Sequence, residues 1–484
     1  MEYHDRRKPR VLPTSDAISK ARIALVSTLP QRGKGTEAAI QHVRDELAPA
    51  FNAASQSPNY YGFVTGGITR AAALSDNLVT EYDQNVQVHL PNETIATEVE
   101  DAALKMLCQL LRLDVNEWKH RTFTTGATAS NILGLACGRE YVIRRRSLTH
   151  GTEASVGKIG LMRAMNEARI SSIRILTSMA HSSLRKAASL VGFGRDAVLD
   201  VGRKASPVKF DLDELERRLK ESEHAHIVVV SCGEVNTGGF ATSGEEMRHI
   251  RKLCDEYNAW IHVDGAFGVM GRMLETLDGS QQYSRIVSSS EGIELADSVT
   301  GDGHKLLNVP YDCGFFFSRD PKTAIDVFQN TGAAYLNSGS TGDDVISPLH
   351  IGIENSRRFR ALPVYATLIA YGVEGYRDML KRQIDLARSI AKVIIDHPAY
   401  ELLPTNQHAK LEEIFVIVLF RAFDMQLNSN LVRLINETGE IYVSGTQWDG
   451  QPAARFAVSN WQADVARDAL LVKQVLDEVS RVHG

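Results

Sequence analysis

The 484-residue chain has no hydrophobic run long enough to cross a lipid bilayer, because its longest apolar stretches are far shorter than the roughly 20 residues that a transmembrane helix needs. It also shows no apolar signal-peptide core at its N-terminus, where the first residues are polar and charged. We therefore expect a cytoplasmic location and no membrane partner.

Cysteine is scarce, since only five residues, an odd number, are scattered along the chain, mostly in apolar strings. They are Cys108, Cys137, Cys232, Cys254 and Cys313. No pair has the Cys-x-x-Cys spacing of a redox or metal motif. These features favour reduced, buried thiols over disulfides, and we expect no metal site.

A strongly basic stripe, internal repeats and low-complexity segments are also missing. The net charge is −5, and short basic runs such as residues 144–146 are typical of solvated faces. We therefore expect no nucleic-acid partner. With 43% hydrophobic and 23% charged residues, the composition is that of an ordinary globular protein, large enough for two or three substructures around a buried core.

Short apolar runs alternate with helical patterns in the middle of the chain. The runs at residues 174–177, 227–231 and 260–264 are typical of buried parallel strands. A helical pattern at residues 243–257 separates the last two. This alternation predicts an α/β fold, with a mainly parallel, doubly wound sheet flanked by helices.

Lys305 lies between a polar, glycine-containing turn and an apolar run. A lysine in such a place is desolvated on one side, which favours the nucleophilic, neutral amine that a Schiff base requires. Upstream, Asp264 ends a predicted buried strand, where a carboxylate can pair with a protonated pyridine nitrogen. An aspartate followed by such a lysine is the pattern of an enzyme that uses pyridoxal phosphate (PLP).

Residues 298–319 resemble the lysine signature of the group II PLP-dependent amino-acid decarboxylases, which include the aromatic amino-acid, histidine and glutamate decarboxylases. The serine, the lysine, the two apolar residues after it, the cysteine and the terminal arginine all stand at signature positions. The resemblance covers nearly the whole chain and implies a fold-type I architecture like that of aspartate aminotransferase. Residues 1–90 would form a dimer-wrapping N-terminal segment, 91–370 a large PLP-binding domain and 371–484 a small C-terminal α+β domain.

The resemblance also implies which residues bind the cofactor. The turn at residues 123–131 leads into a predicted helix, whose free N–H groups and positive dipole end suit the phosphate, and Ala127 and Thr128 take that role. His181 would stack on the pyridine ring and Asp264 would pair with its nitrogen. The full implied set is Ala127, Thr128, His181, Asn236, Asp264, Ala266, Ser298, His304 and Lys305.

The remaining cofactor residues follow from the same resemblance. Ala266 would pack on the ring face opposite His181. Ser298 and His304 match family positions near the phosphate. Asn236 lies in a turn where relatives usually carry threonines, one of which contacts the ring, and Asn236 is expected to substitute for it.

Asp302 departs from the family pattern, because many relatives carry asparagine at its position. A carboxylate close to a phosphate dianion is unfavourable unless it points away or binds a cation. We therefore expect a phosphate site that differs in detail from that of the relatives.

The substrate residues implied by the resemblance are Phe63, Val64, Thr65, Val88 and Arg455. The first four lie in segments that resemble the walls of the substrate pocket, with valines where relatives that use aromatic substrates often have rings. Arg455 matches a family arginine, and a guanidinium suits a substrate carboxylate because it is always charged and bidentate. A structural ion pair at Arg455 is equally compatible with the sequence, and the identity of the amino acid stays open.

The activity that the resemblance implies is that of a carboxy-lyase, which decarboxylates an L-amino acid to an amine and CO2 through a Schiff base on Lys305. The catalytic residues would be Lys305, His181, Asp264 and His350. In the family, a tyrosine on a mobile loop reaches into the partner subunit's site and reprotonates the substrate. We therefore expect a homodimer with shared active sites.

That tyrosine is missing at its expected place. Counted back from residues 357–360, its position falls near Pro348, in the loop at residues 333–350. Tyr335 is too far upstream by this count, and His350 is the nearest protic side chain. In relatives without the tyrosine the intermediate can react with oxygen and give an aldehyde. An oxidative deaminase is therefore an alternative, as are a carbon–carbon lyase and an inactive PLP-binding protein.

Overall fold

The chain forms two compact units in the computed structural model. The residues described are 10–275, 281–330, 345–404 and 411–483. The large unit comprises Ile68–Lys381 and Lys410–Phe415. The small unit comprises Met1–Gly67, Arg382–Ala409 and Val416–Gly484.

Helices and short strands alternate through most of the chain. The helices are α1 (Ser15–Ala24), α2 (Thr36–His42), α3 (Arg70–Tyr82), α4 (Ala96–Leu110), α5 (Ala127–Leu148), α6 (Val156–Ile159), α7 (Leu161–Ala168), α8 (Ser182–Leu190), α9 (Leu212–Leu219), α10 (Gly244–Tyr257), α11 (Ser284–Ser289), α12 (Gly303–Leu306), α13 (Pro321–Phe328), α14 (Ala361–Asp396), α15 (Met425–Glu437) and α16 (Val465–His483). The strands are β1 (Tyr60–Tyr61), β2 (His120–Thr124), β3 (Ser172–Thr177), β4 (Val198–Asp200), β5 (Gly202–Arg203), β6 (Ser206–Phe210), β7 (His224–Ser231), β8 (Trp260–Asp264), β9 (Ser298–Asp302), β10 (Gly314–Ser318), β11 (Tyr400–Leu403), β12 (Ile417–Ala422), β13 (Tyr442–Trp448) and β14 (Gln451–Ala457).

The large unit is built on a seven-stranded sheet with the order β2-β10-β9-β8-β7-β3-β4. The strands from β9 to β4 pair in parallel, and β10 pairs antiparallel with both β2 and β9. The strands predicted at residues 174–177, 227–231 and 260–264 correspond to β3, β7 and β8. The predicted α/β fold with a mainly parallel sheet is confirmed.

Strand β7 shows why the middle of this sheet forms. Its residues Ile227, Val228, Val229 and Val230 are at most 2% exposed. Their β-branched side chains suit a strand that is covered by helices on both faces. Ile227 and Val229 belong to a hydrophobic core that also contains residues of α5, α7 and α8.

Helix α5 approaches β8 closely. Its interior glycines Gly134 and Gly138 are one turn apart on one face of the helix. A Cβ atom at Gly134 would lie 2.5 Å from the ring of His262, and one at Gly138 would lie 2.9 Å from the ring of Trp260. The absence of side chains at these two positions lets the helix lie across β8 and brings its first turn to the carboxyl end of the neighbouring strand β9.

The small unit contains a second sheet with the order β1-β13-β14-β12-β11. Strand β1 pairs in parallel with β13, and the other pairs are antiparallel. Helix α15 packs on β12, β13 and β14 and also against α16. This sheet therefore combines a short strand from the first part of the chain with strands from the last part.

Three properties concern membranes, thiols and metals. Among the helices of the described residues, none is both long and apolar enough to cross a membrane. All five cysteines are buried and free. Within the same described ranges, no three or more His, Cys, Asp or Glu side chains are grouped so that they could hold a metal ion.

Candidate active site

Lys305 lies in the short helix α12, directly after the carboxyl end of β9. Its Nζ is 2.9 Å from Oδ2 of Asp302 and 5.7 Å from the centre of the Phe267 ring. The Lys305 side chain is 19% exposed, whereas that of Asp302 is only 4% exposed. The amine is therefore held between a buried carboxylate and an aromatic ring, and one side of it remains accessible.

The Asp302 carboxylate also contacts the start of α5. Its Oδ1 accepts a hydrogen bond of 2.6 Å from the backbone N–H of Ala127, the first residue of this 22-residue helix, and Thr128 follows in the same turn. The N–H groups of a first turn have no partner within their helix, and the positive end of the helix dipole attracts anions. Asp302 thus binds a cation, Lys305, and also the helix start to which the sequence assigns the phosphate.

His304 and Asp302 both face Gly126, the residue before α5. A Cβ atom at Gly126 would lie 3.4 Å from Cε1 of His304 and 3.5 Å from Oδ1 of Asp302. The Nδ1 atom of His304 accepts a hydrogen bond of 3.4 Å from the N–H of Cys313, so the neutral ring carries its proton on Nε2. Burial lowers the pKa of His304, and Asp302 opposes this shift. A neutral N–H donor thus lies next to the space that glycine leaves at the start of the helix.

Asp264 ends β8, which pairs with β9. Its Oδ2 accepts a hydrogen bond of 2.9 Å from the side-chain amide of Asn131, and its Oδ1 lies 3.4 Å from the backbone N–H of Ala266. The carbonyl oxygen of Ala266 accepts a hydrogen bond of 3.0 Å from the N–H of Asp302. The two aspartates therefore stand at the carboxyl ends of neighbouring parallel strands, the edge at which α/β sheets bind ligands.

His181 immediately precedes α8 and caps it. Its Nδ1 accepts a hydrogen bond of 3.2 Å from the backbone N–H of Ser183, and the hydroxyl of Ser183 lies 2.7 Å from the same nitrogen. The imidazole is exposed, so it can stack on a flat ligand. The side-chain amide of Asn131 lies 3.4 Å from the Ser183 hydroxyl. Asn131 therefore connects His181 with Asp264.

Asn236 lies in a turn organised by a buried carboxylate. Its backbone N–H donates a hydrogen bond of 2.9 Å to Glu234. Just before this turn, a Cβ atom at Gly233 would lie 2.9 Å from the Phe267 ring. Because the same ring lies 5.7 Å from the Nζ of Lys305, the turn and the lysine share a neighbour.

Ser298 lies at the opposite end of β9 from Asp302 and is fully buried. Its hydroxyl accepts a hydrogen bond of 2.9 Å from the indole N–H of Trp260 and lies 2.8 Å from Nδ1 of His262. The structure therefore does not bring Ser298 to the helix start to which the resemblance assigns it. The physical reason is that β9 is extended, so Ser298 and Asp302 stand at opposite ends of the strand, and Asp302 is the residue that contacts the start of α5.

The substrate residues that the sequence implies are divided between the two units. Phe63, Val64, Thr65 and Arg455 belong to the small unit, and Val88 belongs to the large unit. Phe63 and Val64 have φ angles of 56° and 58°, which are uncommon for any residue but glycine and most unusual for a β-branched one. Arg455 is 5% exposed, and its Nη1 donates a hydrogen bond of 3.3 Å to Ser444.

His350 ends a single 3₁₀ turn, Pro348–His350. Its Nδ1 accepts a hydrogen bond of 3.4 Å from the backbone N–H of Asn330. Tyr335 and the other residues at 331–344 lie outside the described residues. Of the two protic side chains considered for the reprotonation step, His350 alone is therefore placed.

Asn131 and His262 are among the residues of this arrangement that have no role in the sequence-based prediction. The signal for His262 is its alternation with Trp260 and Asp264 along β8, which puts all three side chains on one face of the strand. A polar side chain at every second position of an otherwise apolar strand indicates a buried polar network. Asn131 has a weaker signal, since it is a polar residue in the first two turns of a helix.

The residues fit PLP in several respects. A lysine amine and a carboxylate stand at the ends of adjacent strands, where one can bind the aldehyde and the other the ring nitrogen. The start of a long helix, beside the space at Gly126 and the N–H of His304, suits a phosphate. An exposed imidazole at His181 suits the ring face.

Solved structures of similar shape define the fold of the protein. A TDC from Oryza sativa, solved with PLP and tryptamine, matches with a TM-score of 0.78 at 19% identity, over 98% of this chain and 92% of that chain. A 4-hydroxyphenylacetaldehyde synthase from Rhodiola rosea matches with a TM-score of 0.78 at 18% identity, over 98% and 94%. The chain has the fold-type I architecture of PLP-dependent enzymes.

Similarity of sequence then defines the family. An L-2,4-diaminobutyrate decarboxylase from Acinetobacter baumannii is 28% identical over 373 residues, which are 74% of this chain and 68% of the relative. The model of the pyridoxal-dependent decarboxylase conserved domain matches residues 20–422. The chain belongs to this family and is a PLP-dependent carboxy-lyase. The predicted family, fold class, enzyme class and cofactor are confirmed.

Proposed function

We propose that this chain decarboxylates an L-amino acid to the corresponding amine and CO2, with the cofactor attached to Lys305. The observation that carries the proposal is the position of Lys305 and Asp264 at the carboxyl ends of two neighbouring parallel strands, next to the start of α5. When bound, PLP takes up the electron pair that CO2 leaves on the substrate carbon. The protein has to hold the cofactor, orient the substrate and return a proton.

Each neighbouring side chain has a part in holding the cofactor. Asp264 supplies a negative charge that keeps the ring nitrogen protonated, and His181 covers one face of the ring. Thr128 would offer its backbone N–H group to the phosphate, Ala127 would do so in competition with Asp302, and His304 would add its Nε2–H. Ala266 packs on the other face, and Asn236 contacts the ring from its turn. The support for these roles is that Asp302 contacts Lys305, the backbone N–H of Ala127 and the carbonyl oxygen of Ala266, and that Phe267 lies beside Lys305.

Chemical trapping tests the attachment. The purified enzyme is loaded with PLP, reduced with borohydride, digested and mapped by mass spectrometry, and the label is expected on Lys305 alone. A matched control is Lys322→Arg, because Lys322 also pairs with an aspartate 2.9 Å away but is exposed on α13. The control should keep the full label, and Lys305→Ala should lose it. A label on another lysine of the unmodified enzyme contradicts the proposal.

The substrate is proposed to contact Phe63, Val64, Thr65, Val88 and Arg455. The positive φ angles of Phe63 and Val64 support this assignment, because strained backbone tends to occur at ligand sites. Common amino acids are screened for release of CO2, and Arg455→Lys is then compared on the best substrate. We expect its KM to rise more than its kcat falls, because lysine keeps the charge and loses the bidentate geometry. Arg421→Lys, at an ion pair with Glu401, is the control.

A second candidate is an oxidative reaction that yields an aldehyde. It is favoured by Pro348, which begins the 3₁₀ turn at the place where the family's protonating tyrosine is expected. The similar protein from Rhodiola rosea is named as an aldehyde synthase. We favour the amine and propose that His350, two residues on, supplies the proton. Product analysis under air and under nitrogen separates the two. Equal amounts of amine support the decarboxylase, and aldehyde with peroxide formed only in air overturns it.

We also propose a cytoplasmic homodimer with shared active sites. Residues 1–90 would wrap the partner, residues 91–370 would bind PLP, and residues 371–484 would form the small domain. Large apolar side chains in the first part of the chain support the dimer, since Ile23 is 87%, Leu29 92% and Phe51 67% exposed. The free, buried cysteines are typical of a reducing compartment. Sedimentation should give the mass of two chains, and an active species with the mass of one chain contradicts the dimer.

A further inference from the structure

A row of hydrogen bonds lies beneath Asp264 in the core of the large unit. Trp260 Nε1 is 2.9 Å from Ser298 Oγ, which is 2.8 Å from His262 Nδ1. His262 Nε2 is 2.9 Å from Asn131 Oδ1, and Asn131 Nδ2 is 2.9 Å from Asp264 Oδ2. Ser298, His262 and Asn131 are 0% exposed. The row therefore connects the carboxylate with buried polar groups that water does not reach.

The two ends of this row and the neutral state of His262 together determine the direction of its hydrogens. An indole N–H can only donate, so Ser298 accepts from Trp260. A carboxylate can only accept, so Asn131 turns its NH2 group to Asp264 and its oxygen to His262. Nε2 of His262 therefore carries a proton, and a neutral ring accepts the hydrogen of Ser298 at Nδ1. Burial supports this state, because it lowers the pKa of His262 to about 4.

The second N–H of Asn131 points to the other side of the ring site. Asn131 Nδ2 lies 3.4 Å from the Ser183 hydroxyl, a weaker contact than the one with Asp264. The Ser183 hydroxyl in turn is 2.7 Å from Nδ1 of His181. One buried amide therefore contacts the residue proposed for the ring nitrogen and, through Ser183, the residue proposed for the ring face.

We propose that Asn131 is a positioning residue, which fixes the carboxylate of Asp264 for the ring nitrogen of the cofactor. The inference rests on the role proposed above for Asp264. A neutral amide orients a carboxylate without neutralising its negative charge. A cation in the same place would compete with the ring nitrogen for that charge. The neutral His262 serves the same end, because it holds the oxygen of the amide and brings no positive charge.

The test compares two ligands of the apoenzyme, PLP and 1-deaza-PLP. The analogue has a C–H group in place of the ring nitrogen and keeps the aldehyde and the phosphate, so the ratio of the two dissociation constants isolates the contact with Asp264. We expect the wild type to prefer PLP and Asp264→Asn to lose this preference. Asn131→Ala should reduce the preference by about 10-fold, the usual effect of losing a hydrogen bond to a charged group, with little change in affinity for the analogue.

Asn59→Ala is the matched control, because Asn59 is a buried asparagine that donates a hydrogen bond of 3.1 Å to Asp468 in the small unit. It should leave the preference for PLP unchanged. Thermal unfolding checks that each apoenzyme folds, and Asn131→Thr, which keeps one donor, replaces the alanine variant if that variant does not fold.

Equal losses of affinity for PLP and for the analogue would make Asn131 a purely structural residue and overturn the inference. If the wild type and Asp264→Asn both bind the two ligands equally, the role of Asp264 is wrong and the inference falls with it. If those two proteins differ as expected and neither Asn131 variant alters the preference, only the inference fails.

Discussion

At the scale of single residues, Asp302 has two partners that the proposed cofactor site also uses. Its carboxylate binds the Nζ of Lys305 at 2.9 Å and the backbone N–H of Ala127 at 2.6 Å. A phosphate at the start of α5 would compete for that N–H and would meet a buried negative charge. Asp302 therefore opposes the binding of anions at this point, while it also holds the lysine at the site.

We predict that the Asp302→Asn apoenzyme binds inorganic phosphate about 10-fold more tightly than the wild-type apoenzyme. The reason is that the substitution removes the repulsion between the carboxylate and the nearby phosphate at low dielectric. The measurement is a competition of phosphate against PLP, followed by absorbance. The Lys305 amine also loses its carboxylate partner, so the rate of cofactor attachment should change in the same variant. Asp101→Asn, at an ion pair with Arg121, is the control. Unchanged or weaker binding of phosphate contradicts the prediction.

Candidate residues in segments with a characteristic local pattern could be proposed from the sequence, whereas contacts between residues far apart in the chain could not. Lys305 and Asp264 lie in short segments whose residue types are characteristic by themselves. Asn131 is 133 residues away from the carboxylate that it contacts, and no nearby residue reveals this contact. The position of Ser298 in the buried row likewise depends on strand pairing, since its partners are on β8.

At the scale of elements, the site depends on how closely α5 can approach β8. The helix brings Ala127 to Asp302 at its first residue and Asn131 to Asp264 one turn later. Gly134, in the next turn, faces the ring of His262. The separation of the helix from the strand therefore sets the contacts at both aspartates.

We predict that Gly134→Ala destabilises the protein by about 1–3 kcal/mol and weakens PLP binding, because overpacking a dense interior forces backbone shifts. The added Cβ would lie 2.5 Å from the buried His262 ring, which cannot move into solvent. Urea unfolding and a PLP titration measure the two effects. Gly33→Ala is the control, since a Cβ atom there meets nothing within 4 Å. A variant as stable as the wild type would show that α5 has room to move.

The 3₁₀ turn Pro348–His350 gives a prediction about the product. Pro348→Tyr should increase the ratio of amine to aldehyde, because it restores a phenol at the position counted for the family's proton donor. A general acid typically accelerates proton transfer by about 10²–10⁴-fold. Both products are quantified in air on the best substrate. His350→Gln is the companion variant, and it should shift the products toward the aldehyde. No change in either ratio would show that the donor lies elsewhere.

Elements differ in how far the sequence predicts them. The sequence predicts helix α10 over residues 243–257, and its start follows from a capping box in which Ser243 and Glu246 bind each other's backbone N–H groups. The parallel strands were equally clear from their apolar runs. The position of β10 between β2 and β9 cannot be predicted from the sequence of any one strand. The order of strands in a sheet depends on contacts between residues far apart in the chain.

At the scale of the whole molecule, several histidines are buried in the large unit. Burial lowers the pKa of His120, His226 and His262 to about 4 in each case. For His226 the neighbouring guanidinium groups of Arg174, Arg146 and Arg218 add to the effect of burial. These rings are therefore neutral in the folded protein at neutral pH, whereas in the unfolded chain they gain a proton near pH 6.5.

The sign of the resulting pH dependence follows from the depressed pKa values. Above pH 6.5 neither state protonates these rings, so their contribution to stability is fully present. Below that value the unfolded chain binds protons that the folded protein excludes until about pH 4, so stability falls over this window.

We predict that in His226→Leu the free energy of unfolding changes less steeply with pH, by about 1 kcal/mol per pH unit between pH 6 and 4.5. Nε2 of His226 is buried with no partner among the described residues, so the leucine leaves no donor unpaired. Urea unfolding at several pH values measures the slope, and His249→Leu, at an exposed position on α10, should keep the wild-type slope. Equal slopes in wild type and His226→Leu would mean that His226 is protonated in the folded protein or reached by water.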